Sequence, residues 1–222
     1  RELTNNKGII GINAMVAARE FLGLVKTAID EGIDLVIAGA GFSRDIFALG
    51  KEANVPIVPI VSSVKLAKIS QSLGASAIVV EGKEAGGHLG TDLPMLEIFP
   101  DIKKAVNIPV IVAGGIVDGK DVARAISLGA DGVQMGSRFA ASVESNGAPN
   151  LKAMYLNVKE EDIVLIDSPV GNKGRAVRNP FAQLSLEGNT PKPTECRSCL
   201  KHCEQNFCII NALNCSSFFF FI

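Results

Sequence analysis

Cysteine is missing from the first 195 residues; all five fall between positions 196 and 215. That absence excludes a disulfide framework for the body of the chain and suits a reducing compartment, so a cytoplasmic location is expected. An excess of one charge is missing as well. Lys and Arg number 22 against 23 Asp and Glu, for a net charge of −1, and neither sign forms a long block. A nucleic-acid or anionic-membrane partner is therefore not expected. No apolar run approaches the roughly 18–20 residues of a membrane span, and no signal peptide is recognisable. An initiator methionine is also lacking, and Arg1 reads as an interior position of a longer protein. Histidine is scarce: His88 and His202 are the only two.

What is present is a 222-residue, 47% hydrophobic chain, long enough for one large or two small domains. Apolar runs at Ile9–Asn13, Leu35–Ala38, Ile57–Val61, Ala77–Glu81, Val110–Ala113 and Gly132–Met135 read as strands. Each is continuously apolar, as expected of parallel strands covered on both faces. Helical spacing occupies the intervals, at Ala18–Glu31, Ser43–Ala53, Val64–Leu73, Leu96–Val106 and Asp121–Leu128. The strand starts are separated by 26, 22, 20, 33 and 22 residues, which is the period of a strand–helix repeat. Six such units are two short of a closed (β/α)8 TIM barrel: either the sheet is open or the barrel is incomplete by two strand–helix units, and the missing methionine points to the first two. Exposed sheet edges are expected to promote association, so a homodimer is a candidate assembly. Beyond the sixth strand, Val143–Leu156 reads as a helix, Asp162–Ser168 as strand-like and Gly171–Asn179 as basic and glycine-rich. The domain division is 1–186 for the barrel and 187–222 for a cysteine-rich segment. Its last residues, Ser216–Ile222, read as an artefact of truncation or reading frame.

The long interval follows the fourth strand and contains Glu81-Gly82-Lys83-Glu84-Ala85-Gly86-Gly87-His88-Leu89-Gly90. Loops at the carboxyl ends of parallel strands are where barrel enzymes place binding and catalytic groups. His88 stands there as a candidate base or hydrogen-bond donor; the plainer reading is a histidine satisfied by backbone carbonyls. Glu84 is a turn-stabilising or ligand-contacting carboxylate, or else a solvated charge. Two more glycine loops, Ala113-Gly114-Gly115-Ile116 and Gln134-Met135-Gly136-Ser137, end the fifth and sixth strands. As neighbours they offer backbone N–H groups, with the Ser137 hydroxyl, as a phosphate cradle.

These three motifs together resemble the nitronate monooxygenase (2-nitropropane dioxygenase) family of FMN-dependent (β/α)8-barrel flavoproteins, which includes the flavin enoyl-acyl-carrier-protein reductases. The resemblance covers about residues 8–180. It implies FMN as cofactor and His88 as the active-site histidine, a proton acceptor or polarising group beside the flavin. It assigns Gly114, Gly115, Gln134, Met135, Gly136 and Ser137 to the FMN phosphate and ribityl chain. Asn13, Glu81, Gly86 and Gly87 are implied to face the flavin. The partners implied are a small-molecule substrate, a nitronate or an enoyl thioester, with O2 or NAD(P)H. The activity expected is nitronate oxidation with O2, the alternative being NAD(P)H-dependent enoyl reduction. A non-flavin phosphate-binding isomerase or aldolase, or an inactive fragment, is the reading from a different class. Cys196, Cys199, Cys203 and Cys208 read as reduced thiols packed in a helical hairpin, with zinc or an iron–sulfur cluster as the alternative.

Overall fold

The computed structural model describes residues 5, 7–193 and 195–210; the expectation for Ser216–Ile222 lies outside them. Strands β1 (Gly11–Met15), β2 (Leu35–Gly39), β3 (Ile57–Val61), β4 (Ile78–Glu81), β6 (Val110–Ala113) and β7 (Gly132–Gln134) form one sheet in that order. Every pairing in it is parallel. The sheet is open, with β1 and β7 at its edges: an incomplete TIM-barrel-like fold. Helices α1 (Phe21–Asp30), α2 (Asp45–Ala53), α3 (Val64–Ser72), α4 (Met95–Ala105) and α5 (Gly119–Ser127) alternate with the strands. Their starts are chemically marked. The Ser63 hydroxyl accepts from Leu66 N–H at α3, and Asp118 forms a reciprocal capping box with Asp121 at α5.

Alternation along the strands separates two faces. Ala14, Val36, Ala38, Ile78, Val80, Val110 and Val112 pack with Phe21, Val25, Ile46, Phe99 and Ile102 of the helices in one core. Val58, Val79 and Ala113, flanked by Ile37, Ile60 and Ile111, form a second cluster that includes no helical residue. The register carries this second face across the sheet. Asn13 pairs with Ile37, Ile37 with Val58, Ile60 with Val79, Glu81 with Ala113 and Ala113 with Gln134. With a side-chain period of two, Asn13, Glu81 and Gln134 therefore share the face opposite the helices.

Beyond the sheet the expectations need correction. The span Val143–Leu156 is not one helix: α6 (Ser137–Ala140) precedes it and α7 (Pro149–Asn157) begins within it. The backbone of Ala148 is extended at ψ 145°, and Pro149 then supplies a first helical residue whose missing N–H costs nothing. The basic, glycine-rich segment after Gly171 contains β9 (Lys173–Val177), antiparallel to β8 (Ile163–Asp167) and to the short β5 (Gly87–His88). A further helix, α8 (Pro180–Leu186), packs Ala182 against Val164, Ile166 and Ala176 of this small sheet.

Candidate active site

The loop after β4 is fixed from three sides. Gly82 lies so close to α4 that an added Cβ would stand 2.2 Å from the Met95 nitrogen, so only glycine fits without moving backbone. Of the roles read from sequence for Glu84, the structure shows the turn-stabilising one: its carboxylate accepts from Met95 N–H at the start of α4, at 3.0 Å. Lys83 N–H donates to the Leu93 carbonyl at 2.9 Å, and the Ser62 hydroxyl donates to the Gly90 carbonyl at 3.0 Å. On the other side Gly114 approaches the loop backbone, with its Cβ position 3.0 Å from the Ala85 nitrogen. Gly114 and Gly115 have φ of 97° and 71°, conformations that L side chains rarely adopt.

His88 is carried out of this loop on β5. Gly87 pairs with Arg175 and His88 with Gly174, and the Arg175 guanidinium donates to the Glu84 carbonyl. The imidazole Nε2 is 2.7 Å from the Ser168 hydroxyl. Ser168 is buried, 5% exposed, and sits in a turn closed by Ser168 N–H to the Asn172 carbonyl and Gly171 N–H to the Ser168 carbonyl, both 2.9 Å. Burial lowers the His88 pKa below its ordinary 6.5, because desolvation disfavours the imidazolium. His88 is therefore neutral at neutral pH, and its Nδ1 has no protein partner among the described residues.

Glu81 behaves in the opposite direction for the same reason. Burial raises its pKa from 4.5 to about 7, and no hydrogen bond or cation among the described residues compensates. A half-buried carboxyl without a partner, facing away from the helices and next to the glycine loops, is suited to meeting a ligand.

The register brings Asn13, Glu81 and Gln134 to one face, although Asn13 is the middle residue of β1 and not its end. Gly114, Gly115 and Ser137 lie at the ends of the adjacent β6 and β7, and nothing lies within 4 Å of a Cβ built on Gly136. Met135 departs from the rest. Its side chain packs against the helix-side core, leaving its backbone for the loop. Ser168 and Arg175 were not singled out from sequence; the turn Ser168-Pro169-Val170-Gly171 was their only local signal.

Among the described residues, no helix is long and apolar enough to cross a membrane. A sequence model of the nitronate monooxygenase family matches residues 2–207. The chain belongs to the nitronate monooxygenase family. It is 39% identical over 160 residues to a probable nitronate monooxygenase of Staphylococcus aureus strain MSSA476, covering 67% of this chain and 45% of that protein. A second, from strain JH9, is 40% identical over 152 residues, covering 64% and 43%. The chain thus spans less than half the length of these relatives. Among solved structures, FabK from Thermotoga maritima superposes with a TM-score of 0.77 at 36% identity, covering 85% of this chain and 60% of that one. Nitroalkane oxidase from Streptomyces ansochromogenes superposes at 0.69 with 22% identity over 83% of this chain and 66% of that one, a likeness of fold.

The cysteine segment also differs from expectation. Residues 195–208 contain no helical hairpin. Leu200 bridges Ala18 in antiparallel fashion, Arg19 N–H donates to the Cys199 carbonyl, and Lys201 N–H donates to the Ala17 carbonyl. Phe207 is buried and packs edge-on to Phe181 at 5.0 Å. Burial raises the Cys199 thiol pKa, and the neighbouring Cys208, Cys203 and Cys196 raise it further.

Proposed function

We propose that this chain forms the flavin-facing part of an FMN-dependent oxidoreductase that oxidises alkyl nitronates with O2. The observation that carries the reading is His88, desolvated and tethered to Ser168 at the sheet end where the glycine loops and the unpartnered Glu81 converge. The residues present fit FMN. Gly114, Gly115 and the Gln134–Ser137 backbone would hold the phosphate and ribityl chain, since positive-φ glycines and an open tip at Gly136 leave room and N–H donors. Asn13, Gln134 and a protonated Glu81 would offer donors and acceptors to the flavin, and Gly86 and Gly87 stand in the same loop as His88. When bound, FMN supplies the electron acceptor and donor that no side chain provides.

The proton chemistry belongs to His88. With Nε2–H donated to Ser168 Oγ, Nδ1 carries the lone pair and takes a proton from the carbon next to the nitro group of the neutral nitroalkane, the precursor from which the nitronate forms. With the Ser168 hydroxyl donating to Nε2, Nδ1–H becomes a donor that polarises the substrate oxygen. One hydroxyl supports both tautomers, and once the ring is protonated Ser168 accepts from it. Arg175 holds the loop backbone, so the imidazole keeps its position relative to the sheet.

The reading is tested by adding FMN to the purified chain and following flavin absorbance, then O2 uptake with propionate nitronate. Flavin binding with O2 uptake, dependent on His88 when the neutral nitroalkane replaces its nitronate, supports it; absence of binding sinks it and favours a non-flavin phosphate ligand. A second reading, NAD(P)H-dependent reduction of an enoyl thioester, draws on the resemblance to the flavin enoyl reductases and on the 36% identity with FabK. NAD(P)H consumption with a crotonyl thioester, exceeding nitronate turnover, would select it.

A further inference from the structure

The irregular loop 195–208 is firmly anchored, with Leu200 and Phe207 buried and two backbone hydrogen bonds to Ala17 and Arg19. It borders a partly open cavity of about 210 Å³ lined by Cys196, Cys199, Cys203 and Cys208, of which Cys196 and Cys203 are exposed. All four thiols are free of disulfides. Among the described residues, no three His, Cys, Asp or Glu side chains are grouped so as to hold a single metal ion. We propose that this cavity is an iron–sulfur site in which Cys196, Cys199, Cys203 and Cys208 each ligate one iron of a [4Fe–4S] cluster.

The choice of ligand follows from size, charge and backbone. A zinc ion holds each of four sulfurs at about 2.3 Å and draws them to one point. A four-iron cluster instead needs its thiolates standing around a volume, one at each iron, which is what four cysteines lining a cavity provide. A disulfide would join two of the thiols and has no use for the other pair or for the space between them. A cluster with four thiolate ligands is an anion. The cavity wall carries three cations, Arg19, Arg197 and Lys201, against the single carboxylate of Glu195. Lys201 is also held 5.4 Å from the Phe21 ring centroid, which keeps its charge beside the loop. Ser198 and Gln205 have φ of 51° and 58°. Left-handed conformations at residues other than glycine carry a cost. Here they turn the chain immediately before Cys199 and between Cys203 and Cys208, so that all four side chains reach one cavity.

Uptake is a ligand exchange. Four cysteine thiols displace the four thiolates of a preassembled cluster: four S–Fe bonds form as four break, each cysteine proton passes to a departing thiolate, and no electron changes hands. The test incubates the full chain anaerobically with a synthetic four-iron, four-sulfide tetrathiolate cluster, removes unbound reagent, and measures iron and acid-labile sulfide. The expected result is about four of each per chain, with Cys196, Cys199, Cys203 and Cys208 protected from alkylation and Cys215 still labelled. Cys203→Ser and Cys208→Ser should lose loading while keeping the wild-type far-UV circular dichroism, and Cys215→Ser should load fully. Iron-free protein with all thiols alkylated overturns the site. So does zinc bound at one ion per chain by the same thiols, or full loading of Cys208→Ser with none of Cys215→Ser. The alkylation map of the unsubstituted chain decides the matter even where a variant misfolds. Iron content is independent of nitronate turnover, so this site stands or falls separately from the proposed activity.

Discussion

Replacing Glu81 with glutamine isolates the energetic cost of the carboxyl that faces the proposed flavin. Burial raises its pKa from 4.5 to about 7 in the folded protein. The folded state therefore binds this proton more tightly than the unfolded chain does. Below pH 4.5 both states are protonated and the folded protein bears no penalty. As pH rises toward 7 the unfolded chain ionises first, stability falls, and above 7 the loss is complete. The gap, at about 1.4 kcal/mol for each tenfold change in proton affinity, sets a ceiling of about 3 kcal/mol; partial contact with solvent reduces the expected loss to about 2 kcal/mol. Glutamine has nearly the same shape and no charge. Urea unfolding followed by circular dichroism should give nearly equal stabilities for the two proteins at pH 5. At pH 8 Glu81→Gln should be about 2 kcal/mol more stable, a shift of about 1 M in midpoint. His88 titrates identically in both proteins and cancels. A stability difference that stays the same at pH 5 and pH 8 would refute the reasoning, since Glu81 would then be solvated or paired.

Three further outcomes follow from the same geometry. His88→Gln should lower turnover of the neutral nitroalkane by about 10²–10⁴-fold with FMN affinity unchanged, measured by O2 uptake and flavin titration. Because burial lowers the His88 pKa, the acid limb of kcat/KM for the neutral nitroalkane should lie below pH 6.5. Ser168→Ala should shift that limb further to acid, since it removes an acceptor from the imidazolium; an unmoved limb would detach Ser168 from the base. Gly82→Ala, which places a Cβ 2.2 Å from the Met95 nitrogen, should cost about 2–4 kcal/mol in urea unfolding, whereas Gly74→Ala, with nothing within 4 Å but φ of 93°, should cost about 1 kcal/mol.

The parallel sheet was legible because its evidence is local. Each of the six strands is an apolar run ended by glycine, proline or a polar residue, and each helix shows its spacing within about ten residues. The glycine loops were legible for the same reason. Long-range pairing was not. Ser168 lies 80 residues from His88 and Arg175 lies 91 from Glu84, and Lys173–Val177 reads as polar because its apolar content is confined to Ala176 and Val177. Parity was within reach but depended on exact strand ends. Glu81 and Gln134 fall on the open face only through the pairing Glu81–Ala113–Gln134, and that register turns the adjacent Met135 toward the helices.

The proposed site is thus built from two structures with different dependencies. The sheet and its glycine loops come from β1 to β7 and are stabilised by the helix-side core. His88 belongs to the first of these in sequence but to the second in space, because β5 pairs with β9 and the imidazole meets Ser168. Two residues of β5 cannot hold a side chain in place unaided. The direction of the base is therefore set by the β8–β9 hairpin and the α8 packing behind it, while the proposed flavin surface is set by the parallel sheet. Proton transfer and cofactor binding are separable in this fold: damage to the hairpin should release His88 and leave the glycine cradle standing.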